Sequence, residues 1–79
     1  MTITQVEYFI AVCKHQNFSK AAAELHISQP GISKSMRELE EECGVALFER
    51  NYNNIVITKE GEILLESAQK FMEHFNELD

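Results

Sequence analysis

Apolar residues near the start of the chain recur three and four positions apart. Val6, Phe9, Ile10 and Cys13 stack on one face of a helix running from Thr4 to about His15. Thr4 followed by Glu7 predicts a capping box at its start. Gln16-Asn17 breaks the pattern, and Ser19 after Phe18 reads as the N-cap of a short alanine-rich helix from Lys20 to about His26. Its small face, Ala21 and Ala22, permits close packing. Ser28 predicts the N-cap of a third helix, with Gln29 and Pro30 in the first turn, where a missing backbone N–H costs least. Ile32, Met36, Leu39 and Cys43 form its buried stripe, and Gly44 ends it as a left-handed cap. The opposite face carries Gln29, Ser33 and Arg37, with Pro30 and Lys34 beside them.

After Gly44 the period changes. Leu47-Phe48-Glu49-Arg50 and Ile55-Val56-Ile57 are β-prone runs flanking the turn-rich tetrad Asn51-Tyr52-Asn53-Asn54, which predicts a β-hairpin. Thr58 then caps a last helix to about Leu78, with Glu60 and Glu62 in its positive first turn. Leu64, Ala68, Phe71, Phe75 and Leu78 recur at the spacing of a coiled-coil seam, broadened by Leu65 and Met72. A domain this small cannot cover so long a stripe alone, so part of it reads as a homodimer interface, with Leu64, Ala68, Phe71, Met72, Phe75 and Leu78 the expected residues; the alternative is a helix packed wholly on its own core. The fold class is mainly α: three helices and a two-stranded hairpin over residues 1–58, then a long helix over 59–79.

Length and composition fit this picture. Seventy-nine residues, 44% hydrophobic and 25% charged, allow one small folded domain that a partner subunit would help to stabilise. No apolar run approaches the ~20 residues of a membrane span, and no basic stretch followed by an apolar one opens the chain. A cytoplasmic protein without a membrane partner is expected. Cys13 and Cys43 follow no metal-ligand spacing and read as two buried thiols, while His15, His26 and His74 are scattered. No metal, no cofactor and no catalytic constellation are expected.

The net charge of −6 on its face argues against nucleic acid, because duplex affinity rests on neutralising phosphates. Its distribution argues otherwise. Between Lys14 and Arg37 the bases Lys14, Lys20, Lys34 and Arg37 face one acid, Glu24, whereas from Glu38 onward eleven acids face Arg50, Lys59 and Lys70.

Two helices joined around Leu25 to Ser28, the second opening with Ser28-Gln29-Pro30, have the outline of a helix-turn-helix. In that motif the N-terminal half of the second helix enters the major groove, so Gln29, Pro30, Ser33 and Lys34 would reach DNA. Glutamine can pair with adenine, serine with several base edges, and lysine with guanine or phosphate. The same residues could also form an ordinary solvated helix face. Ser28 is accounted for as an N-cap, though its helix end could also hold a phosphate. Arg50 could tie down the hairpin or touch DNA.

The order of fragments decides between these readings. Phe9, Phe18-Ser19-Lys20-Ala21-Ala22-Ala23-Glu24-Leu25, His26-Ile27-Ser28-Gln29-Pro30, Ile32-Ser33, Leu39-Glu40, Gly44-Val45, Leu47-Phe48-Glu49-Arg50 and Thr58-Lys59-Glu60-Gly61 run across essentially the whole chain. This pattern resembles the N-terminal region of LysR-type bacterial transcriptional regulators. The resemblance implies a winged helix-turn-helix in which Ser19 and Lys20 anchor the DNA backbone, the Gln29 to Lys34 face reads bases and the hairpin is the wing. It also implies a linker helix pairing two subunits on an interrupted palindrome of double-stranded DNA. A small-molecule effector would bind only in a C-terminal domain, absent from these residues. Ser28, Arg37, Arg50 and Asn53 complete the candidate DNA-binding set.

Three positions depart from the family pattern. Gly31 stands where alanine is usual, Lys34 replaces a frequent arginine, and Asn53 stands where an arginine often enters the minor groove. Lysine exchanges a bidentate fork for a point charge, and asparagine is not drawn to the negative potential of a narrow groove. The wing is therefore expected to have a supporting role. The competing reading, a helical dimerisation module that binds protein and not DNA, draws on the acidic net charge and the apolar last helix. An enzyme is the most distant alternative.

Overall fold

The computed structural model describes residues 1–51 and 54–78. Helices α1 (Ile3–His15), α2 (Phe18–Leu25) and α3 (Gln29–Cys43) are followed by strands β1 (Phe48–Asn51) and β2 (Asn54–Ile57) and by helix α4 (Lys59–Glu77). The strands pair antiparallel, with Phe48 opposite Ile57, Arg50 opposite Ile55 and Asn51 opposite Asn54. Asn51 and Asn54, the ends of the predicted turn tetrad, thus belong to the strands. The tetrad's central pair, and with it the minor-groove candidate Asn53, falls outside the described residues.

The helices begin where side chains can satisfy their free amides. Ser28 Oγ accepts from the Gly31 amide at 3.1 Å and Thr58 Oγ1 from the Gly61 amide at 3.0 Å, as the sequence predicts. Two starts differ. The capping box of α1 is formed by Thr2 and Gln5, each side chain bonded to the other's amide at 3.0 Å, and not by Thr4 and Glu7. Both pairs satisfy the motif, and the earlier start places Ile3, still exposed, at the edge of a groove between α1 and α4. Helix α2 is capped by Asn17, whose Oδ1 accepts from the Lys20 amide at 2.9 Å, and not by Ser19. Asparagine caps as well as serine. This start brings Phe18 into the helix, where its ring meets Phe48 edge-on at 6.1 Å. His26, predicted as helical, instead ends α2 in the left-handed region at φ 58°.

Phe9, Val12, Ile32, Met36, Leu39 and Leu47 are fully buried and form the centre of the core. Helix α1 is covered by α2, α3 and α4, so its buried face is wider than the predicted stripe. Ala11 and Val12 are buried, while Ile10 and Cys13 sit half-buried at its edge. Burial pushes the Cys13 thiol up to about 12, which keeps it protonated at neutral pH. Cys43, predicted to be buried, is exposed, because among the described residues nothing covers the last turn of α3 on that side. Gly44 ends the helix at φ 74°, as predicted.

The joint between α3, the hairpin and α4 is tightly bonded. Glu40 Oε2 accepts from the amides of Leu47 at 2.7 Å and Phe48 at 3.2 Å, fixing the entry to β1. The Thr58 amide donates to the Leu47 carbonyl at 2.9 Å, and its hydroxyl donates to the Ala46 carbonyl at 2.7 Å. The first turn of α4 presses onto this joint so closely that a Cβ on Gly61 would lie 2.4 Å from the Leu47 carbonyl oxygen and 2.6 Å from Ile57 Cγ1. Backbone cannot yield as a side-chain tip can. Gly61→Ala is expected to destabilise the fold by about 1–3 kcal/mol, the usual cost of overpacking. Urea denaturation checks this; an unchanged midpoint would show that the joint is looser than described.

Candidate nucleic-acid interface

Helices α2 and α3 meet through His26, Ile27 and Ser28, and the first two turns of α3 project from the core. Gln29, Pro30, Gly31 and Lys34 are exposed there and Ser33 is half-buried. The start of α2 and the hairpin approach the same face. Between them lies an open cleft of about 290 Å³, lined by Asn17, Phe18, Ser19, Gln29, Ser33, Arg50, Asn54 and Ile55. Four of the sequence-predicted residues, Ser19, Gln29, Ser33 and Arg50, thus converge on one concave surface. Pro30 and Lys34 stand beside it on the exposed turns of α3, and Ser28 is engaged as the cap. Lys20 lines a neighbouring groove with His15, Gln16, Asn17, Asn54, Ile55 and Val56.

Asn17 and Asn54 are cleft residues that the sequence reading missed. Asn17 looked like a helix breaker, and only a helix starting at Phe18 reveals it as a cap facing the cleft. Asn54 was read as turn, whereas it opens β2.

Arg50 does tie down the hairpin. Its guanidinium lies 5.3 Å above the Phe18 ring, and Nη2 is 3.9 Å from Glu40 Oε1. Part of the guanidinium remains open to the cleft. Arg37 Nη1 donates to the Ser33 hydroxyl at 3.3 Å, one turn earlier on α3.

The charges are segregated. Lys14 Nζ and His15 Nε2 both meet Glu24 Oε1 at 3.0 Å. The Lys14 hydrogen bond, then that of His15, holds the Glu24 carboxyl below the usual carboxylate range. Among the described residues Lys20, Lys34 and Arg37 form no ion pair and stay available to an anion. The positive end of the α3 dipole adds to them. The acids Glu38, Glu41 and Glu42 occupy the far half of the same helix.

A second surface runs along α4. Ala68 is buried, and Leu64, Leu65 and Met72 pack half-buried on the chain's own core, so part of the predicted seam is used within the domain. Phe71, Phe75 and Leu78 remain 45%, 36% and 83% exposed, with the two phenyl rings stacked at 6.1 Å. Beside them lies an apolar groove of about 260 Å³ between α4 and the start of α1, bounded by Met1, Ile3, Val6, Leu64, Ala68 and Phe71 among others. Among the described residues no group of three or more His, Cys, Asp or Glu is arranged so that it could hold a metal ion, and no helix is long and apolar enough to cross a membrane.

Residues 3–62 match the family model for bacterial regulatory helix-turn-helix proteins of the lysR family. The chain belongs to the LysR family. It is 37% identical over 78 residues to the transcriptional regulator BsdA of Bacillus subtilis (strain 168), covering 98% of this chain and 27% of that protein. It is 42% identical over 73 residues to the transcriptional regulator TcbR of Pseudomonas sp. (strain P51), covering 92% and 25%. Its fold superposes on the CbnR DNA-binding domain in a DNA complex with a TM-score of 0.94 at 40% identity, covering 98% of this chain and 88% of that one. The winged helix-turn-helix with its following helix is therefore the LysR DNA-binding fold. This LysR-family chain spans about a quarter of the length of the curated relatives it matches.

Proposed function

We propose that this LysR-type domain binds double-stranded DNA as a homodimer, with the first two turns of α3 in the major groove. The observation that carries the reading is the convergence of Ser19, Gln29, Ser33 and Arg50 on one cleft flanked by exposed Lys20 and Lys34. Gln29, Pro30, Ser33 and Lys34 face base edges, with Lys34 also able to take a phosphate. Ser19, Lys20, Arg37, Arg50 and the helix end at Ser28 hold the backbone on either side. The wing supports from the flank.

Residues 59–79 act as the linker helix, pairing two subunits through the exposed Phe71, Phe75 and Leu78, while Leu64, Ala68 and Met72 pack on the domain's own core beside them. A two-fold dimer presents two recognition helices, which suits an interrupted palindrome. Such a regulator works in the cytoplasm, and effector binding belongs to the part of the regulator beyond these residues. The protein-binding alternative is not favoured, because the acids behind the net charge lie away from the cleft.

Selection of duplexes from a random pool, followed by titration at several salt concentrations, tests the reading. Enrichment of a palindromic sequence and affinity that falls steadily with salt are expected. Affinity that stays constant between low and physiological salt would contradict it.

A further inference from the structure

The contact between Arg37 and Ser33 has a chemical consequence for base reading. A guanidinium carries only donors, whereas a serine hydroxyl has one proton and two lone pairs. Arg37 Nη1 donates to Ser33 Oγ at 3.3 Å, so one lone pair is occupied and the hydroxyl proton must turn away from the guanidinium. Ser33 lines the cleft beside Gln29 and Arg50, so its proton and its one remaining lone pair are what it can offer a ligand there. The adjacent positive charge also draws electron density from the oxygen, strengthening it as a donor and weakening it as an acceptor.

We propose that Arg37 is a positioning residue that biases Ser33 toward donating, so that a base offering an acceptor is preferred opposite Ser33. The inference rests on reading α3 as the recognition helix. In the major groove guanine offers N7 and O6, adenine N7 and thymine O4, but cytosine offers only the N4 amino donor. Cytosine is therefore the base disfavoured opposite Ser33. This role is separable from phosphate binding, which depends on the charge of Arg37 and carries no base preference.

The test starts from a duplex selected from a random pool by the unaltered protein, with every half-site position then changed to each base pair in turn. Arg37→Met removes donor and charge from an exposed site and keeps the aliphatic stem. Ser33→Ala removes the hydroxyl, and the double variant closes a cycle. At one position, Arg37→Met is expected to relax discrimination against cytosine by about three- to tenfold, the range of a single hydrogen bond. Ser33→Ala should flatten the same position, and adding Arg37→Met to it should change nothing further there.

If Arg37→Met instead weakens all duplexes equally and lowers the salt slope by about one with base preferences intact, Arg37 is a phosphate ligand only and the proposal is overturned. Relaxation at a position that Ser33→Ala does not affect overturns it as well. If the unaltered protein selects no sequence at all, the recognition-helix reading itself fails and the inference falls with it.

Discussion

Phe71→Glu is expected to convert the domain from a dimer to a monomer while leaving its fold intact. Phe71 is 45% exposed in the single chain and borders the apolar groove between α4 and α1, so its ring is available to a second copy. Helical spacing places Phe75 and Leu78 on the same side, next to the face that Ala68 and Met72 turn to the core. In a two-fold interface each substitution counts twice. Losing the burial of two phenyl rings costs about 1.5–3 kcal/mol apiece, before the desolvation of two carboxylates is added. The dimer dissociation constant should rise by about a hundredfold or more, each ~1.4 kcal/mol being a factor of ten. Sedimentation velocity reads the mass, and circular dichroism reads the helices. A dimer that persists unchanged would remove α4 as the subunit interface.

Some elements were legible in the sequence because one residue alone suits the position. Ser28 before Gln29-Pro30, Gly44 after Cys43 and Thr58 before Lys59 each fixed a helix boundary that the structure repeats. The starts of α1 and α2 were not legible, because two adequate caps lie two residues apart in each. For α2 the contact of Phe18 with Phe48, which local pattern does not contain, goes with the earlier start. The stripe on α3 was read correctly through Ile32, Met36 and Leu39 but carried one turn too far, to Cys43, past the elements that cover it.

The candidate site was legible to a similar depth. Gln29 and Ser33 follow from their place on α3, and Ser19 from the family fragment around it. Glu40 entered only as one of the acids after Glu38 and within the fragment Leu39-Glu40, yet it bonds two amides of the β1 entry and faces Arg50. Such long-range partners leave no periodic trace. Only part of the α4 stripe was expected to be interface, and helix rotation sets the division, with Leu64, Ala68 and Met72 toward the domain's own core and Phe71, Phe75 and Leu78 on an open flank.

The central claim is that α3 reads bases while the start of α2 holds the backbone, and a paired titration of Gln29→Ala and Lys20→Ala tests it most directly. Gln29 is the first residue of α3, exposed at the cleft, and its amide can pair with a base edge. Lys20 lies in the first turn of α2, exposed beside the hairpin, where a cation meets phosphate. Both variants would be titrated against the selected duplex and a scrambled one at several salt concentrations. Gln29→Ala should cost about 1–3 kcal/mol on the selected duplex, relax one base position and leave the scrambled duplex nearly unaffected. Lys20→Ala should weaken both duplexes alike and flatten the salt slope by about one. Equal weakening of both duplexes by Gln29→Ala, or selective loss of the preferred duplex by Lys20→Ala, would contradict this division of labour.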